Sequence, residues 1–416
     1  MVVQLWKQKV PVGFLLVKNK FRTVRGEVLM KSCGIIAEYN PFHSGHAYHL
    51  QEARRKSGAD IVTVAMSGNF TQRGEPAIFD KWQRARAALE NGADLVVENP
   101  VLGSAQASDL FAKSGVRILQ ALACDWIAFG AENGSSQEFS ELAQSLVEQE
   151  ATINQTFHQV KNDGRSYAVQ MNEAIQKVMK PSRIALEQPN NQLALAYLKE
   201  NVSYPHPMQA LAILRRGADH HAKQAISAHF ASGTSLRLLL LAKEYDNLEQ
   251  WVPNPKTLKV LEPVDWEKYW PFLRYQIILQ SHADLQSIYQ MEEGIEYRLK
   301  DKIKQADSFT SFISLVKNKR WTWVRLQRLC LYVLLGIKKE EVLSFYKNEP
   351  VLRILGFNKK GQAYLNQLKH QRDLTIVTNL NKKTASLLPV EIRADRIYIL
   401  PSGKEQNFSR IPIMVS

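Results

Sequence analysis

Cysteine is scarce in this chain of 416 residues: there are three, Cys33, Cys124 and Cys330, each far from the next. So few and so scattered, they exclude a disulfide framework and a cysteine-based zinc site, and they fit a reducing compartment. Long apolar runs are also missing. No stretch approaches the roughly 18 to 20 residues that span a bilayer, so the chain reads as soluble. The one imitation of a targeting signal is the apolar stretch 10–17 between Lys7, Lys9 and Lys18, Lys20. It is about eight residues long with no small-residue cleavage site behind it, which argues against secretion. Acidic residues are in deficit, 40 Asp and Glu against 54 Lys and Arg, giving a formal net charge of +14. Such an excess suits a polyanion, because Lys and Arg release its condensed counterions, and nucleic acid is the expected partner. A merely basic soluble enzyme is the other reading. No internal repeat, low-complexity segment or evident protein-docking motif is present.

What is present is an alternation of strands and helices in a chain long enough for two or three packed domains. Residues 33–39 are apolar, and after an intervening Asn-Pro-Phe-His-Ser-Gly-His loop, 47–56 have apolar positions at helical spacing. Strand-like runs at 61–66, 94–98 and 126–129 are separated by helical patterns at 81–90 and 105–122. This order predicts a parallel sheet with right-handed crossovers, whose ligands sit beyond the carboxyl ends of the strands. The segments at those ends are 39–46, 67–74, 99 onward and 130–132. From Lys243 the pattern turns to helices rich in Leu, Trp, Tyr and Lys. From Pro350 strand-like runs return at 374–377, 397–400 and 411–415. The expected division is therefore a 1–29 extension, unstructured or not native, an α/β domain with the strand-end loops at 30–242, a helical domain at 243–349, and a small α/β appendage at 350–416. Met30 opens what reads as the first strand.

The sharpest chemical signal is His43-Ser44-Gly45-His46. Glycine lets the backbone pass close to a phosphate, and a helix start offers free N–H groups to an anion. Two imidazoles there would act as donors toward an α-phosphate whose charge rises during attack by a carboxylate. A metal triad of His43, His46 and His49 is disfavoured, since steps of three turn His49 well away from His43 and no zincin carboxylate accompanies them. His49 reads as a helix-surface residue. Ser232, Thr234 and Arg237 lie at another helix start, where hydroxyls cap and a guanidinium reaches phosphate. Gln72 and Arg73 form either a solvated turn or a loop that holds acetate or triphosphate. Trp82 reads as core, and Arg84 and Arg86 as a solvated face. Lys319, Arg320, Arg325 and Arg328, interleaved with Trp321 and Trp323, suit RNA, which offers phosphates to pair and bases to stack on.

Several blocks together resemble the bacterial tRNA(Met) cytidine acetate ligase family: residues 34–46, Ser-Gly-Asn-Phe-Thr-Gln-Arg-Gly-Glu-Pro at 67–76, Lys81-Trp82, residues 92–98, Phe-Gly-Ala-Glu at 129–132, Pro189-Asn190-Asn191, and Lys319-Arg320-Trp321-Thr322. The similarity runs from residue 33 almost to the end. Its HIGH element is shared with many adenylyltransferases, whereas the 67–76 block is particular to this family. The resemblance implies a Rossmann-like, HUP-type nucleotidyltransferase domain followed by a mainly helical part, and ATP and acetate as substrates; a magnesium ion ordinarily accompanies such a triphosphate. It also implies acetylation of the exocyclic amine of the wobble cytidine in elongator tRNA(Met), in the cytoplasm. By position it assigns ATP contacts to Ile36, Ala37, Glu38, Tyr39, Asn40, Pro41, Phe42, Gly45, His49, Gly130, Asn190 or Asn191, and Arg215 or Arg216, with His43 and His46 catalytic. No carboxylate pair in the sequence identifies magnesium ligands. The chain departs from the family pattern at Asn99-Pro100, where members carry Leu-Pro, and at His220-His221, where they carry Tyr-His. An adenylyltransferase that makes a nucleotide cofactor, and a non-catalytic RNA-binding protein, are the alternatives.

Overall fold

The computed structural model describes residues 30–159, 167–179, 182–215, 232–246 and 248–416. The 1–29 extension, Arg216 and His220-His221 lie outside them. Five strands run parallel: β1 (Ser32–Ala37), β2 (Ile61–Ser67), β3 (Leu95–Asn99), β4 (Trp126–Ala131) and β5 (Gln209–Leu214), in the order β5-β4-β1-β2-β3. Every residue of β2 and β3 is buried, as expected of parallel strands covered on both faces. The helices Ser44–Ser57 and Lys81–Glu90 cover one face through Leu50, Ala53, Trp82, Ala85 and Leu89. Ser108–Ala121 and Pro189–Val202 cover the other through Phe111, Val116, Leu195 and Leu198. The chain winds outward from β1 to β2 and β3, then returns to place β4 on β1's other side. That reversal opens a crevice beyond the carboxyl ends of β1 and β4, the place where such sheets bind ligands.

The C-terminal stretch is built into the same sheet and is not an appendage. Strand β6 (Val351–Phe357) pairs antiparallel with β3, and β7 (Thr375–Val377) and β8 (Ile413–Met414) both pair with β6. Runs 374–377 and 411–415 thus contain strands, but 397–400 does not. Ile397 lies in the helix Pro389–Tyr398. Pro389 at a first-turn position and buried Glu391, Ile392, Ala394, Asp395 and Tyr398 at helical spacing explain the difference.

The helical region sits on the loop side of the sheet. Its apolar core, with Tyr269, Phe312, Leu329 and Tyr332, also takes in Phe70, Val101, Leu102 and Ala105 from the loops after β2 and β3, and Val390 and Tyr398 from the last long helix. Polar contacts reinforce the joint: Tyr332 donates to the Ala105 carbonyl at 2.6 Å and Trp266 Nε1 to the Gly74 carbonyl at 3.0 Å. Among the described residues no helix is long and apolar enough to cross a membrane.

Candidate active site

The loop leaving β1 is held by side chains from distant parts of the chain. Asn40 Oδ1 accepts from Ile78 N at 2.7 Å, and its carbonyl accepts from Arg237 Nη1 at 3.0 Å. Arg84 is the larger brace and corrects the expectation of a solvated face. Its guanidinium is buried and donates to the carbonyls of Glu38, Ser67, Gly68 and Phe79. One cation thereby ties the ends of β1 and β2 together, satisfying carbonyls that no ladder reaches. Arg86 is exposed.

His43 stands at the N-cap of the Ser44–Ser57 helix, and its ring stacks on that of His46 with centroids 3.6 Å apart. Tyr39 and Phe42 pack against His46 at 4.8 and 5.7 Å. The backbone N–H of His43 donates to His46 Nδ1 at 3.2 Å, so a neutral His46 carries its proton on Nε2. Burial and then the Arg215 guanidinium push His43 down to about 3, while burial, His43, His49 and Arg215 hold His46 well below the usual histidine range. Both are neutral donors in the free chain. His49 is not a helix-surface residue: its ring bonds the Phe129 backbone, its Nε2 is buried, and burial pushes its pKa down to about 4.

Across the end of β4, Gly130 leaves open space, where an added Cβ would meet only Arg215 Cγ at 3.8 Å. Glu132 organises the start of the Pro189–Val202 helix by accepting from the N–H groups of Asn190 and Asn191 at 3.2 and 2.9 Å. Asn191 is fully buried and bonded to Glu132 N, Asn133 and Ala185. Asn190 also donates through Nδ2 to Glu132 and accepts from Arg215 Nη1 at 3.4 Å. Ser232 caps its helix by accepting from Ser235 N, and Thr234 accepts from Arg237 Nη2. An added Cβ on the intervening Gly233 would stand 3.4 Å from the Asn40 carbonyl, so this helix start borders the β1 loop.

The loop after β2 covers the other flank. Gln72 N–H donates to Glu38 Oε1 at 2.6 Å, and the carbonyls of Gln72 and Arg73 accept from Arg328 Nη1 at 3.5 Å and Gln327 Nε2 at 3.0 Å. Gly74, at φ +77°, is forced to be glycine, because a Cβ would lie 2.7 Å from the Arg328 backbone. Arg73 is exposed. Beneath, Lys81 Nζ is fully buried between Glu98 at 2.8 Å and Asp395 at 2.6 Å, and Asn69 bonds both Asp395 and Lys81 N. Neither this network nor the part played by Glu132 is evident from sequence. The one available signal was Glu98, a carboxylate closing an otherwise apolar strand.

The cations Lys319, Arg320, Arg325 and Arg328 divide into two kinds. Lys319 and Arg320 are exposed, Arg325 lies over the buried Trp321 ring at 3.7 Å, and Arg328 is turned to the Gln72 loop. Among the described residues no group of three or more His, Cys, Asp or Glu is arranged to hold a metal ion.

A model of the HIGH Nucleotidyl Transferase family matches residues 30–410. The tRNA(Met) cytidine acetate ligase of Latilactobacillus sakei subsp. sakei (strain 23K) is 39% identical over 393 residues, 92% of this chain and 97% of that protein. That of Bacillus subtilis (strain 168) is 35% identical over 384 residues, 89% and 92% of the two chains. Apo Thermotoga maritima TmcAL has a similar structure, with TM-score 0.84 and 29% identity over 93% of this chain and 100% of that one. The same protein bound with alpha-thio ATP gives TM-score 0.82 at 28% identity, with the same coverage.

Proposed function

Because the chain belongs to the tRNA(Met) cytidine acetate ligase family of HIGH nucleotidyl transferases, we propose that it uses ATP to activate acetate and acetylates the wobble cytidine of elongator tRNA(Met), giving 4-acetylcytidine. The observation that carries this reading is the stacked, neutral His43–His46 pair at a helix start beside the β1–β4 crevice. Acetate attacks the α-phosphorus of ATP, pyrophosphate leaves, and acetyl adenylate remains. The cytidine amine then attacks the acetyl carbonyl and AMP departs. Dividing the reaction makes a poor electrophile reactive before a weak nucleophile must attack it.

In the first step His46 Nε2–H and the amides of the helix start donate to the phosphoryl oxygens, and His43 completes the donor set. Arg215 and Asn190 meet the nucleotide from the β4 side, while the loop from Ile36 to Phe42 with Gly45 supplies backbone contacts. Magnesium would arrive on the triphosphate, whose oxygens and waters supply most of its ligands; no step is assigned to it. Lys319 and Arg320 supply phosphate contacts to tRNA. The three buried free thiols fit work in a reducing cytoplasm. Incubation with labelled acetate, ATP and total tRNA, followed by mapping of the labelled nucleoside, tests the whole reading. Pyrophosphate release that depends on a phosphomonoester and ignores acetate would replace it with a cofactor-forming adenylyltransferase.

A further inference from the structure

We propose that Glu38 is the general base of the acetyl-transfer step, taking a proton from the cytidine amine as that nitrogen attacks the acetyl adenylate. The proposal rests on the acetate-ligase reading and adds a role beyond nucleotide contact. Glu38 follows directly on β1, on the same loop as His43, yet its carboxylate turns to the flank of β2: Oε1 accepts from Gln72 N at 2.6 Å. Gly130, Asn190 and Arg215 lie on the flank of β4. The end of β1 thus separates Gly130, Asn190 and Arg215 from the oriented Glu38 carboxylate.

Its flank is also the one joined to the cationic helix. The peptide of Gln72 donates to Glu38 and accepts from Arg328 Nη1, and Gln327 holds the next carbonyl. RNA held on Lys319 and Arg320, in the turn that leads into this helix, would approach from the side that braces the loop over Glu38. Glu38 is half-buried as a residue, and Gln72 N–H is the one hydrogen-bond donor to its carboxylate among the described residues. Oε1 is occupied, which leaves Oε2 to receive a proton.

Burial, more than the surrounding charges, favours that receipt. Burial raises the proton affinity of Glu38 and the Glu75 carboxylate adds to it, while the Gln72 amide, Arg237 and Arg73 oppose. Tyr197 and Arg84 face it from the two flanking helices. A carboxylate made more basic without being neutralised by a close ion pair is suited to general-base work. In the step itself, the amine lone pair forms the N–C bond and the acyl C–O bond breaks. AMP leaves with that electron pair, and the amine proton passes to Glu38 Oε2.

The discriminating variant is E38Q, because glutamine keeps a carbonyl oxygen for Gln72 N–H and leaves the backbone of the ATP loop in place. The full chain would be assayed for acetate-dependent ATP–pyrophosphate exchange, and for single-turnover acetyl transfer to tRNA across the titration of the carboxylate. Beyond any loss in exchange, transfer should fall by a further factor of about 10² to 10⁴, the span of general-base contributions. The wild-type rise of transfer with pH should vanish in the variant. Equal losses in both assays would make Glu38 a brace for the loop, and undiminished transfer would remove it altogether. A wild-type chain with neither acetate-dependent exchange nor transfer would overturn the ligase reading itself, and this assignment with it.

Discussion

His46 Nδ1 accepts the backbone N–H of His43 at 3.2 Å while the two rings stack 3.6 Å apart. The bond fixes which nitrogen of His46 carries the proton and aims Nε2–H outward. Replacing His46 by alanine should lower acetate-dependent pyrophosphate exchange by roughly a hundredfold or more, the cost of one preorganised donor. Fold and tRNA affinity should be retained. A folded variant with full exchange would take His46 out of the catalytic set.

The same burial makes stability depend on pH. His43 and His49 titrate near 6.5 when unfolded, but the folded chain pushes them down to about 3 and about 4. Between those values the unfolded chain binds protons that the native chain refuses, so acid favours unfolding. Stability should be complete above about pH 6.5 and fall as the pH drops toward 4, read as a shrinking urea midpoint. A His43→Asn, His49→Asn double variant should show a shallower decline. Identical slopes in both proteins would mean these rings titrate freely.

Arg84 offers a test of architecture. Replacing it with methionine keeps the apolar stem but strands the carbonyls of Glu38, Ser67, Gly68 and Phe79. Losing a buried, fully engaged cation should cost on the order of 3 to 5 kcal/mol. Denaturant unfolding measures it, and a loss under about 1 kcal/mol would show that water readily replaces the guanidinium.

The exposed cations separate RNA holding from chemistry. Alanine at Lys319 and Arg320 should weaken tRNA binding and reduce the log–log salt slope by about one unit per lost contact. Pyrophosphate exchange without tRNA should survive. An unaltered slope with failing exchange would reassign the segment to support of the nucleotide domain. Arg325, laid over Trp321, and Arg328, bonded to Gln72, are less suited to this test because altering them also disturbs packing.

How far the sequence could be read depended on how local each feature is. The first four strands and the histidine loop were legible because β-branched runs and a glycine-bearing helix start signal over a few residues. Strand β5, Gln-Ala-Leu-Ala-Ile-Leu, gave weak signal because alanine is a poor strand former. In β6, Arg353 interrupts the apolar run, and its charge suggests exposure although the side chain is buried.

The sequence by itself determined the parallel sheet, the helix start that carries His43 and His46 and, by resemblance, the family. Tertiary structure alone decided that Arg84 and Lys81 are internal, that Asn191 is fully buried while Asn190 bonds Arg215, and that the C-terminal strands finish the N-terminal sheet. The reason is physical. Patterning fixes which residues leave water, but the partner of a buried charge comes from wherever the chain returns: Lys81 meets Asp395 across 314 positions and Gln72 meets Arg328 across 256. No periodicity in either segment encodes the other.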